Sequence, residues 1–233
     1  SIEGVAAAKA EIIAGLRPEG IAILNADDAR AAAMAELAPA RVLTFSARGR
    51  QADLRAENVD LDAAARAAFD LHLPGLAEPR RVQLAVAGVH NVSNALAAAG
   101  LALAAGIAPE LIADRLGSVS IESPHRMDIS ELSGDLLLID DSYNANIDSM
   151  TAALAVLPAL AGDRRRVVVI SEMLELGESS AADHARTGEL AARAGAAMLI
   201  GIGSTQEALE AARARGVEVV GFDDAATAIS QID

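Results

Sequence analysis

Apolar residues in this chain fall into short runs between longer amphipathic stretches, and their spacing predicts the elements. Residues 4–15 read as a helix between Gly4 and Gly15, and 21–24 as a short buried strand. Residues 27–37 read as a helix opening on Asp27 and Asp28, where the positive end of the helix dipole favours acids, and 42–45 as a second strand. From 53 to 86 the texture changes. Leu54, Ala56 and Val59, then Phe69, Leu71 and Leu73, then Val82, Leu84 and Val86 lie in strand-like runs punctuated by Pro74, Gly75 and Pro79. An antiparallel patch attached to an α/β body is expected there. Helices follow at 90–105, closed by Gly106, and at 109–117, opened by Pro109.

The polar stretch 118–125 marks a domain boundary, giving units at 1–123 and 124–233. Beyond it, strands at 127–132, 136–139, 167–170, 197–200 and 217–220 alternate with helices at 149–160, 181–194 and 205–215. Short apolar strands between helices predict an α/β fold with a mostly parallel sheet covered on both faces. The last residues read as an unfinished helix. Because residue 1 is Ser, the chain is expected to be a segment of a longer protein.

Composition narrows the classes. The chain is 52% apolar and 22% charged, a globular balance, and only 2% aromatic, so Ala, Val, Leu and Ile must fill the cores. A net charge of -14 argues against nucleic acid or an anionic membrane as partner. The absence of cysteine excludes disulfides and thiolate zinc sites. No apolar run reaches the roughly 18 residues of a membrane span, and no signal peptide opens the chain. No membrane insertion and a cytoplasmic location are therefore expected. Of the 19 basic residues, Lys9 is the sole lysine, which suggests either compositional bias or a position that needs an amine.

In open parallel sheets, ligands bind beyond the carboxyl ends of the strands, so the segments after each strand hold the candidate chemistry. Asp140-Asp141-Ser142-Tyr143-Asn144-Ala145-Asn146 is dense in acids, hydroxyls and amides. It could hold a ribose and phosphates, or be an Asx-rich turn with Asp148 capping the next helix. His90, Asn91 and Asn94 share one face at the start of the 90–105 helix, behind Gly88. Their amides suit an adenine edge, or serve as ordinary caps. Arg126 at the boundary offers a planar fork for phosphate, or is solvated surface. The chain has no GxxxxGK[ST] phosphate loop, no GxGxxG fingerprint and no metal-ligand spacing among His72, His90, His125 and His184.

Several stretches in order resemble the Mur ligases: SIEGV and AKAEI within 1–12, ILNADD at 23–28, HNVSNALAAA at 90–99, DDSYNAN at 140–146 with DSM at 148–150, and MLELGE at 173–178. The resemblance covers nearly the whole chain. It implies the rear part of a central ATPase-type domain, whose phosphate loop would precede Ser1, followed by a Rossmann-like C-terminal domain that stops before its last strands. DDSYNAN and MLELGE imply the member that uses ATP and Mg2+ to add D-alanyl-D-alanine to UDP-N-acetylmuramoyl-tripeptide through an acyl phosphate, in peptidoglycan precursor synthesis. A monomer is expected, inactive as this segment alone.

By the same resemblance, Lys9 matches a lysine that is carbamylated and turned toward magnesium, and Arg126 an arginine reaching the ATP phosphates. His90, Asn91 and Asn94 match the adenine-contacting helix start. Asp141 matches the ribose-holding acid, and Tyr143, Asn144 and Asn146 line the same loop. His184 lies near a histidine motif of the rear domain. The chain departs from the family pattern at Val89, Ile147, Ser171-Glu172 and Arg186. A glutamate-adding ligase of the same superfamily, such as a folylpolyglutamate type, and a non-catalytic nucleotide-binding remnant stay open as alternatives.

Overall fold

The computed structural model describes residues 1–119 and 124–231. The chain divides into two compact units, Ser1–Ser120 and Ile121–Asp233.

In the first unit, α1 (Ile2–Ala14) precedes a sheet of β1 (Ile21–Asn25), β2 (Arg41–Ser46), β3 (Leu54–Leu61), β4 (Arg66–His72) and β5 (Arg80–Ala87). The strands lie in chain order. β1, β2 and β3 run parallel, and β3, β4 and β5 continue the same sheet antiparallel. The antiparallel patch is thus a direct extension of the parallel strands. Alternate residues Leu54, Ala56, Ala67, Phe69 and Leu71 are buried, as the period of a half-covered strand requires. Above them pack α3 (His90–Ala104), through Val92, Leu96 and Ala99, and α4 (Pro109–Leu116), through Ile112 and Leu116.

The helix expected at 27–37 is shorter. It forms α2 (Ala29–Ala33) and tightens into a 3-10 turn at Met34–Leu37. Asp28 is the cap, accepting the Arg30 and Ala31 amides. Asp27 instead accepts the Ser46 hydroxyl at 2.7 Å and the Ala47 amide at 2.8 Å, tying the ends of β1 and β2. α1 rests on the 3-10 turn, pairs Glu3 with Arg30 at 2.8 Å, and buries none of its residues.

In the second unit, β8 (Val167–Ser171), β9 (Met198–Ile202) and β10 (Glu218–Phe222) form a parallel sheet in the order β10-β9-β8. α5 (Ile147–Ala161), α6 (Ser180–Arg193), α7 (Gln206–Arg213) and α8 (Ala225–Gln231) alternate with the strands. Leu154, Val168, Ile170, Ala191, Leu199 and Leu209 form the core. β6 (Asp128–Leu132) and β7 (Leu136–Asp140) do not join the parallel sheet but pair with each other as an antiparallel hairpin. The apolar run of β7 resembles a buried parallel strand, yet Gly134 and Asp135 both take positive φ and close a tight turn. Such a turn brings the strands together locally, at little entropic cost. Arg164 clamps the turn, donating to the Asp135 carbonyl and carboxylate at 3.1 and 2.7 Å.

Candidate functional site

In the first unit, β5 runs into α3 through Gly88, whose φ of 104° suits glycine alone. A Cβ there would run into the His90 ring, so the bare backbone is what lets the imidazole fold back over the turn. Asn91 is buried and donates its Nδ2 to the Ala87 carbonyl at 2.8 Å. Its Oδ1 accepts from Nδ2 of Asn94 at 3.0 Å. Asn91 is therefore a brace: it satisfies the last carbonyl of β5 and sets the plane of the neighbouring amide. Asn94 and His90 are exposed, and Asn94 keeps a carbonyl oxygen and a second N–H of the kind an adenine edge requires. The structure brings these residues together at one helix end.

Lys9 is exposed on α1. Among the described residues no group of three His, Asp or Glu side chains could hold a metal ion. The residues present here thus do not by themselves make a magnesium site.

In the second unit, the turn 125–127 and the loop after β7 are stitched together. His125 Nδ1 donates to Asp140 at 2.7 Å, and the Tyr143 amide donates to the His125 carbonyl at 2.9 Å. The Met127 amide donates to Asp141 Oδ1 at 3.0 Å. Arg126, between these anchors, sets its guanidinium carbon 3.9 Å from the centre of the Tyr143 ring. Hydrogen bonds from His125 and from the Ser142 hydroxyl and amide hold the Asp140 carboxyl down to about 2. The bond to Asp140 in turn raises the His125 imidazole above its ordinary value. Arg126, Asp141 and Tyr143 are thus brought into one surface cluster. Among the described residues Asp141 accepts one amide, which leaves lone pairs for a hydroxyl.

Other sequence candidates are drawn into local structure. Asn144 Oδ1 accepts the Ala145 amide at 2.9 Å. Asn146, not Asp148, caps α5: its side chain accepts the Ser149 amide, and Ser149 Oγ accepts the Asn146 amide. His184 is buried at 2% exposure beneath the loop after β8. The structural part played by His125 and Asp140 was not assigned from the sequence. The available signal was an acidic pair directly after a strand, with a histidine beside the candidate arginine.

The chain is an α/β protein of two units, with the Asn91–Asn94 amide pair in the first and the Arg126, Asp141 and Tyr143 cluster in the second. Its first part, residues 1–102, matches the Mur ligase middle domain, and residues 125–233 match the Mur ligase glutamate ligase domain. The chain belongs to the Mur ligase family. It is 41% identical over 208 residues to the UDP-N-acetylmuramoyl-tripeptide–D-alanyl-D-alanine ligase of Mycobacterium tuberculosis, a match covering 88% of this chain and 40% of that protein. It is 38% identical over 218 residues to the ligase of the same name from Escherichia coli, covering 93% and 47%. The chain therefore spans less than half the length of these relatives. A crystal structure of MurF from Acinetobacter baumannii superposes with a TM-score of 0.83 at 32% identity, covering 98% of this chain and 48% of that one. MurF from Thermotoga maritima in complex with ADP shares the fold, with a TM-score of 0.72 at 20% identity over 100% of this chain and 52% of that one. Among the described residues no helix is long and apolar enough to cross a membrane.

Proposed function

We propose that the protein carrying this chain is a cytoplasmic, ATP-dependent ligase that joins D-alanyl-D-alanine to UDP-N-acetylmuramoyl-tripeptide in peptidoglycan precursor synthesis. Residues 1–123 are the rear of its ATP-binding domain and residues 124–233 its Rossmann-like domain. The observation that carries this is the exposed Arg126 guanidinium, fixed above the loop that holds Asp141. The names of the relatives supply the substrates.

In this function ATP phosphorylates the terminal carboxylate of the tripeptide and leaves as ADP. The dipeptide amine attacks the acyl carbon, phosphate departs, and the amine proton passes to solvent. The chain's own groups bind and orient. Asn94 and His90, set by Asn91, read the adenine edge, and Asp141 accepts a ribose hydroxyl. Arg126 offsets phosphate charge, a stabilisation that matters most as charge shifts during phosphoryl transfer. Tyr143, Asn144 and Asn146 shape the loop. Magnesium belongs to the same proposal, and Lys9, as a carbamate, would supply one carboxylate-like ligand to it. The described residues do not complete the site of the ion.

The test uses the full-length protein with ATP, magnesium, tripeptide precursor and D-alanyl-D-alanine. Phosphate release that requires both the precursor and the dipeptide is expected. Release supported by glutamate instead of the dipeptide would overturn the substrate assignment, and no release with either would overturn the activity.

A further inference from the structure

Arg126 leaves the chain between two non-glycine residues of left-handed backbone, His125 with φ 62° and Met127 with φ 49°. Such a turn persists only when its surroundings hold it. Here the end of β7 and the loop after it do so, through Asp140, Asp141 and the Tyr143 amide. The side chain that emerges is exposed, and an exposed arginine is normally spread over many rotamers. This one has its cationic carbon 3.9 Å from the Tyr143 ring centre, while Tyr143 itself is 60% exposed. A tyrosine kept at the surface with a cation over its face is neither a core residue nor a free stacking platform. That face is already occupied. Attraction to a ring face uses the guanidinium charge and leaves its N–H donors for oxygen acceptors.

We propose that Tyr143 is a positioning residue, whose ring holds the Arg126 guanidinium ready for the nucleotide phosphates without contacting the nucleotide. This rests on Arg126 being a phosphate-binding group. It assigns the tyrosine an effect that passes entirely through the arginine.

The test combines variants of the full-length protein with two readouts, the ATP dissociation constant and the NMR ring-current shift of the Arg126 δ protons. In the wild type these protons lie upfield. Tyr143→Leu removes the shift and weakens ATP binding by about two- to fivefold, the range expected of an exposed cation–ring contact. Tyr143→Phe, which keeps the ring, restores most of both. In an Arg126→Ala background Tyr143→Leu weakens ATP no further. An equal loss in that background would show direct contact with the nucleotide and overturn the proposal. A lost ring-current shift with unchanged ATP affinity would overturn it too. Both readouts work without turnover, so a protein that binds ATP but releases no dipeptide-dependent phosphate would defeat the ligase assignment and leave this test intact.

Discussion

His184 accepts the backbone N–H of Met173 on its Nε2 at 3.0 Å, and its Nδ1 lies 2.8 Å from the Ser180 carbonyl. A carbonyl only accepts and an amide N–H only donates, so the proton must sit on Nδ1. The buried ring thus pins the start of the Met173-to-Gly177 loop to the start of α6, across a turn in which Glu175 and Gly177 take positive φ. Leu174, next to the pinned residue, is left 70% exposed.

From this, His184→Ala is expected to destabilise the second unit by about 2–4 kcal/mol, combining a cavity with a buried amide left unpaired. Ser180→Ala keeps the carbonyl that the ring uses and should change stability by no more than about 0.5 kcal/mol. Denaturant unfolding measures both. Hydrogen exchange at the Met173 amide should quicken in the first variant and hold in the second.

The His125–Asp140 pair predicts a pH window. Folding raises the His125 value above 6.5, so its contribution is complete below 6.5 and is lost as pH rises through the folded value. Folding lowers Asp140 from 3.8 to about 2, so its contribution is complete above 3.8 and is lost as pH falls through about 2. The turn carrying Arg126 should therefore be held most firmly between 3.8 and 6.5. An NMR titration of the His125 ring checks this, and Asp140→Asn should bring its midpoint back toward 6.5. An unmoved midpoint would remove Asp140 as the cause.

Gly188 lies where α6 crosses α7, and a Cβ there would run into the Ala208 carbonyl, which is backbone and cannot swing away. Gly188→Ala should cost about 1–3 kcal/mol or more in overpacking. Gly4→Ala, on exposed α1, meets only Ser1 Oγ at 3.7 Å and should stabilise by about 0.5–1 kcal/mol, since alanine loses less entropy in a helix. Thermal melts of the two variants should move in opposite directions.

The contrast between these glycines shows where the sequence was readable. Periodicity located the strands because burial alternates along them, as in Leu54, Ala56, Phe69 and Leu71. It could not show that β7 would leave the parallel sheet, because LLLID fits either setting and the decision lies in the turn at Gly134 and Asp135. Residue types at the site were equally legible, but their division of labour was not. Asn91 and Asn146 carry the same amide as Asn94, and only the structure shows one bracing β5, one capping α5 and one donating to the brace. His184 could not be placed because its partners are backbone atoms, which no side-chain motif records.

That division of labour between Asn91 and Asn94 can be measured. Asn91 is buried, and its Nδ2 serves the Ala87 carbonyl. Asn91→Ala leaves that carbonyl without its side-chain donor and should lower stability by about 1–3 kcal/mol. Asn94 is exposed and contributes one side-chain hydrogen bond to its neighbour, so Asn94→Ala should cost no more than about 0.5 kcal/mol. Affinity should rank the other way, if Asn94 faces the base as proposed. Asn94→Ala should weaken ATP by about five- to tenfold, the loss of a net hydrogen bond of roughly 1–1.4 kcal/mol. Asn94→Ala that melts normally and binds ATP normally would remove the base-reading role, whereas lower stability with unchanged affinity would make Asn94 a second brace. Thermal melts and ATP titrations of the full-length protein separate these outcomes, because the brace acts on folding and the reader acts on the ligand.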